Sequence, residues 1–167
     1  MGGVIAVGGN WYSEKNSKKE NVDASDEEIS KGESVHSKKI SGAKTELQLV
    51  NTSSQSEVMS VMHEMTHQKI KASKKWGATP MIKENIDTIY NLIEENDFEA
   101  KVVLLQIMSR WKTGDFSRVD KDHNTIWQLQ GGTVGEAVGI MSEEEERWFV
   151  KKNFKENVLN VWLEENK

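Results

Sequence analysis

Residues 54–77 read SQSEVMSVMHEMTHQKIKASKKWG, and this stretch decides the fold class. Ser54 and Glu57 have capping-box spacing. Val58, Val61, Met62, Met65, Ala72 and Trp76 then recur on one stripe, which predicts a helix of about five turns ended by Gly77. At roughly 100° per residue that stripe centres on Val58, Met65 and Trp76. His63 and His67 then fall on the far side with Ser60, Lys71 and Lys74, toward water or a cleft.

The pattern continues downstream. Thr79 and Pro80 form a cap-then-first-turn pair, and Ile82, Ile86, Ile89, Tyr90 and Ile93 make the apolar face of a second helix. Asp97 is placed to cap a third helix running to Gly114. Its Val102–Leu105, Ile107, Met108 and Trp111 are apolar nearly all round, which predicts the central, most buried element. A short helix passes through Ile126 to Leu129 and stops at Gly131-Gly132, while 133–141 reads equally as strand, turn or packed loop. Ser142 and Glu145 form a second capping box, and one helix, or two separated near Asn153, carries Trp148, Phe149, Phe154, Val158, Val161 and Trp162. The expected architecture is mainly α: a compact bundle of four to five short helices with a Gly-rich loop, preceded by a disordered N-terminal tail.

Composition sets the domain limits. Residues 1–12, MGGVIAVGGNWY, are an apolar fragment that fits the remnant of a membrane anchor, with Trp11 and Tyr12 as its interfacial aromatics. Residues 13–55 carry seven Lys against eight Asp and Glu with few apolar groups, a disordered polar spacer. Residues 56–167 hold five of the six Trp, which need a core, and form the helical domain. A net charge of −5 gives no general attraction to phosphate backbones, so nucleic acid is not an expected partner. With no cysteine, disulfides, thiolate metal sites and cysteine nucleophiles are excluded. No apolar run reaches the roughly 18 residues of a membrane span.

His63-Glu64-Met65-Thr66-His67 is an HExxH sequence inside a predicted helix. Imidazoles at i and i+4 stack on one helical face and can share Zn²⁺, with the intervening Glu as general base toward a metal-bound water. Three features oppose a peptidase reading. Both His lie off the apolar stripe; Lys69 falls where such enzymes seat the helix with an apolar residue; and the third ligand is unmarked, with Glu84, Asp87, Glu94, Glu95, Asp120, Asp122 and His123 as candidates. The expectation is therefore no cofactor, with zinc on His63, His67 and His123 and Glu64 as catalytic base in the alternative. Asp120, Asp122 and Asn124 have EF-hand spacing, but Thr125 and Gly131 stand where the loop needs Gly and Glu. Gly131, Gly132, Gly135 and Gly139 lack the lysine of a phosphate loop.

MTHQK, KWG, RWKTGDFS and DHNTIWQLQGGTVGEAVG followed by SEEEE resemble a family of small uncharacterised proteins from Gram-positive, spore-forming bacteria, over Val58 to Phe154 and most specifically Asp122 to Gly139. The resemblance implies an N-terminal membrane anchor, a polar spacer and a C-terminal domain outside the cytoplasmic membrane. It implies no activity. The functional expectation is an uncharacterised cell-envelope domain, a non-enzymatic binding module for a protein or envelope partner; the alternative is a small zinc-dependent hydrolase. The location follows the anchor: the envelope or extracellular face if residues 1–12 are its remnant, the cytoplasm if the N-terminus is complete.

Overall fold

The computed structural model describes residues 34–167. The expectations for the apolar fragment 1–12 and for spacer residues 13–33 lie outside the described residues. Six helices run in chain order as α1 (Gln55–Thr66), α2 (Lys83–Glu95), α3 (Lys101–Lys112), α4 (Val119–Leu129), α5 (Glu143–Asn153) and α6 (Glu156–Glu165). Strands β1 (Ile70–Ala72) and β2 (Ala137–Ile140) pair antiparallel, Ile70 opposite Ile140 and Ala72 opposite Ala137. The mainly helical class stands, and no described helix is long and apolar enough to cross a membrane.

Both capping boxes form. Ser54 Oγ accepts from Glu57 N and Glu57 Oε2 accepts from Ser54 N; Ser142 and Glu145 repeat the exchange at α5. The five-turn helix does not form. α1 stops at Thr66, whose hydroxyl donates back to the His63 carbonyl at 2.6 Å. Beyond it Ile70 and Ala72 are buried and Lys71 is not, a period of two. The partner strand lies some 70 residues further on, where a local wheel cannot see it, and Lys69 O accepts from Met141 N at 2.7 Å as the two segments meet. Trp76, assigned to the stripe, is 61% exposed.

Two other helix starts move for tertiary reasons. α2 begins at Lys83, not at Thr79-Pro80, because its first-turn amide is capped from elsewhere: Lys83 N donates to both carboxylate oxygens of Glu165 on α6. Asp97 does not cap α3, which begins at Lys101 after Ala100 N donates to Gln55 Oε1 at 2.7 Å. Nor is α3 buried all round. Leu104, Ile107, Met108 and Trp111 face the core, and Val102 faces water.

One apolar cluster lies among α1 to α4, with Val58, Met62, Met65, Ile89, Ile93, Leu104, Trp111 and Ile126. A second lies between α5 and α6, with Phe149, Val150, Phe154, Val158 and Trp162. A buried polar knot joins them. Glu146 accepts from Lys69 Nζ, Gln68 Nε2 and Trp162 Nε1, each at 2.8 Å, while Gln68 Oε1 accepts from Met81 N. The knot fills the donor and acceptor capacity that burial would otherwise leave unmet.

The reading of 13–55 as disordered spacer fails for residues 34–53, which form a strap along the helices. Ile40 N donates to Asn153 Oδ1 and Asn153 Nδ2 donates to Lys38 O; Gly77 N donates to Ser41 O; Lys44 N donates to Ala78 O. Leu47 and Leu49 pack on the first cluster, Ile40 and Ala43 on the second. Backbone hydrogen bonds with distant partners hold it, so neither composition nor apolar period announces it.

Candidate metal centre

α1 packs against α4, and this contact sets the site. His63 and His67 stand one turn apart near the C-terminal end of α1, and His123 comes from the first half of α4. Their rings form a tight triangle with centroids 4.9 Å (63 to 67), 4.5 Å (63 to 123) and 5.7 Å (67 to 123) apart. One nitrogen from each ring lies within 4.8 Å of one from each other ring. Of the two surroundings expected for the α1 histidines, water or a cleft, open water is corrected: His67 is 3% and His123 0% exposed, and His63 is half-buried. The wheel counted only the apolar stripe of α1; α4 covers the opposite side with a polar layer.

Each imidazole is oriented by a carbonyl-type acceptor. His67 Nδ1 lies 2.7 Å from the Gly77 carbonyl, which can only accept, so Nδ1 carries the hydrogen. His63 Nδ1 lies 2.7 Å from Gln130 Oε1, and Gln130 Nε2 donates to Ser60 Oγ. His123 Nδ1 lies 2.9 Å from Asn124 Oδ1. That amide cannot be turned over, because Asn124 Nδ2 donates to Ala137 O while Ala137 N donates to Oδ1. In His67 and His123 the nitrogen left to offer is thus Nε2, with a free lone pair, and in His63 it is Nε2 with the Gln130 amide oriented as it stands. Carbonyl acceptors behind Nδ1 are the outer arrangement that fixes tautomer and ring angle in histidine metal ligands.

Burial keeps these rings neutral. It pushes His67 down to about 3 against the help of the Gly77 hydrogen bond, pushes His123 down to about 4 against that of Asn124, and lowers His63 as well. Lys75, donating to the carbonyls of His67 and His36, is pushed down to about 7 by its own burial. His123 Nε2 is buried without a hydrogen-bond partner. An unmet buried acceptor costs about 1–3 kcal/mol, which a ligand at that atom removes. A tetrahedral ion with Zn–N near 2.0–2.1 Å sets its ligands about 3.3 Å apart, so closure needs nitrogen shifts on the order of 1 Å.

Glu64 sits elsewhere. Lys44 Nζ donates to both its oxygens at 3.1 Å and Thr79 Oγ1 donates to Oε2 at 2.9 Å. Gly77 lies against the same carboxylate: φ is +74° there, and a Cβ would stand 2.6 Å from Glu64 Oε1. Glu64 thus ties down the 77–79 segment whose Gly77 carbonyl orients His67. The cleft beside it, about 200 Å³ between Lys44, Gln48, Ser60 and neighbours, is not lined by the histidines.

Three of the other candidate ligands go to different partners. Asp122 is buried in an ion pair with Arg110 and accepts from Trp111 Nε1 at 3.0 Å; Asp87 pairs with Lys112; Glu94 accepts from Tyr90 OH. Asp120, Asp122 and Asn124 lie within helix α4, where alternate residues fan around the axis and cannot converge as an EF-hand loop does. The Gly-rich loop is a packing device: a Cβ at Gly132 would stand 2.3 Å from Trp127 Nε1. Among the described residues, His63, His67 and His123 alone form a cluster with metal-ligand spacing. Sequence reasoning named these three and missed Gly77, Gln130, Lys44 and Thr79. Only Asn124, beside His123, carried any signal, and its spacing to the aspartates suggested a different ion.

A family profile described as "Family of unknown function (DUF6241)" matches residues 62–151, more than half of the chain, and its span contains all three histidines with Gly77, Asn124 and Gln130. No curated protein and no solved structure matches the chain.

Proposed function

The chain belongs to this family of unknown function, and we propose that its domain is a metal-binding module in which His63, His67 and His123 hold one zinc-class divalent ion through Nε2. One observation carries the reading. Three neutral, mostly buried imidazoles converge with each Nδ1 already committed to an acceptor. An all-imidazole set suits Zn²⁺, Cu²⁺, Ni²⁺ and Co²⁺ over Mg²⁺ or Ca²⁺. Glu64 is a positioning residue in this reading, because both its oxygens are occupied by Lys44 and Thr79. The proposed place of work is the cell envelope, which rests on the resemblance given above.

A zinc hydrolase is the second reading. Three protein ligands leave a fourth position for water, the ligand count of catalytic zinc. Its base would have to be a group other than Glu64, unless Glu64 first leaves Lys44.

Titration of the metal-free protein with Zn²⁺, and with Co²⁺ followed by its visible absorption, tests both. The expected result is one equivalent bound, lost in His67→Ala and His123→Ala and retained in Glu64→Gln. Absence of binding at micromolar zinc, or binding indifferent to both His substitutions, overturns the module. Peptide or ester hydrolysis by the zinc-loaded protein that vanishes in Glu64→Gln supports the hydrolase instead.

A further inference from the structure

Away from the histidines, a cleft of about 290 Å³ opens where the start of the strap meets the segment after β1. His36, Lys38, Lys39, Lys74, Lys75 and Trp76 line it, and no carboxylate does. Lys38, Lys39 and Lys74 are exposed and form no ion pair among the described residues. Trp76 is 61% exposed and Val35, on the same rim, 69%. In a chain of net charge −5 this is a local reversal of sign built around an indole left in water.

We propose that this face docks on an anionic lipid bilayer, Lys38, Lys39 and Lys74 meeting the headgroups and Trp76 with Val35 entering the interface. Lysine ammonium groups near an anionic leaflet each strengthen partitioning roughly fivefold. Indole is enriched at the membrane–water boundary because its body is apolar and its N–H is polar. A nucleic-acid strand would use the lysines alike but gives Val35 nothing to enter. The course of the chain agrees. Val35 and His36, near the start of the described residues, line this cleft, so the preceding chain joins the domain beside the docking face. Its sequence carries the apolar stretch at 2–9 with Trp11 and Tyr12, separated from Ser34 by 21 residues, a reach of at most about 80 Å. The proposal does not depend on metal at the histidines.

The test is co-sedimentation of the full chain with vesicles of phosphatidylcholine alone or with added phosphatidylglycerol, at low and at physiological salt. Binding is expected only with the anionic lipid, weakening as salt rises. Lys38→Gln, Lys39→Gln and Lys74→Gln together should lower it about a hundredfold, three factors of five. Trp76→Phe should reduce the blue shift of fluorescence seen on binding, leaving only the part due to Trp11, with circular dichroism confirming that both variants fold. Undiminished binding of the triple variant would assign the affinity to residues 1–33 and overturn the proposal. Equal binding to neutral vesicles, or tighter binding to a single-stranded oligonucleotide than to anionic vesicles, would do the same.

Discussion

Asn124 is the residue on which the site turns. Its amide closes a two-way exchange with the Ala137 backbone and, through the same oxygen, fixes the tautomer of His123. Asn124→Ala should weaken zinc binding about 10–100-fold, the range for outer-shell partners of metal-bound histidine. It should also lower stability by about 1–3 kcal/mol, since the Ala137 amide loses its acceptor. Isothermal titration and urea unfolding measure the two separately; loss of stability with unchanged affinity would show that His123 needs no orienting group. At this scale the sequence displayed the ligands and hid their supports. HExxH and a third His are legible as letters, whereas Gly77, Gln130 and Lys44 are ordinary residues given their roles by contacts 10 to 67 positions distant.

Among the elements, what was legible was what is local. The capping boxes at Ser54 and Ser142 are closed by residues three apart, so their signature is complete in the sequence. Starts and stops fixed from outside were not legible: Glu165 of α6 caps α2, and β2 converts the continuation of α1 into a strand. The box on α1 also predicts a pH dependence. The Ser54 backbone N–H, with the Ser54 hydroxyl beside it, holds the Glu57 carboxyl below its ordinary 4.5. A carboxyl depressed on folding stabilises the fold above its unfolded value, and that contribution fades as pH falls through the folded value. Wild type and Glu57→Gln should therefore differ in unfolding midpoint at pH 6 and converge as pH falls below 4.5. Ser54→Ala should cost about 1 kcal/mol at neutral pH, read by chemical denaturation.

Across the whole molecule, the two apolar clusters meet over the Lys69–Glu146 pair, 2.8 Å apart and capped by Trp162 and Gln68. Removing one partner strands the other in a low-dielectric junction, so Glu146→Ala should destabilise by about 3–5 kcal/mol. Replacing both, as Lys69→Met with Glu146→Leu, should recover only part of that in thermal unfolding, because no charge is then left unpaired but the Gln68 amide and the Trp162 indole N–H lose their acceptor. Lys69 counted against a zinc-peptidase helix on the expectation of one long α1. With α1 ended at Thr66, the residue lies outside the helix and its role is to join clusters. The tryptophans divide similarly: Trp111 and Trp162 are core, Trp127 and Trp148 half-buried, and Trp76 exposed. Residue type alone does not separate these roles.

The strap decides where the protein can be trimmed. A gene fragment opening at residue 56, the boundary composition recommends, would encode all the helices but the first residue of α1, yet leave the Glu64 carboxylate without its ammonium and the Gly77 amide without Ser41. Limited proteolysis of the intact protein should yield a resistant core that begins before Ser37, and the shorter fragment should give poorly dispersed amide spectra. The smallest autonomous unit is thus set by hydrogen bonds that reach backward along the chain, not by the first apolar residue of the first helix.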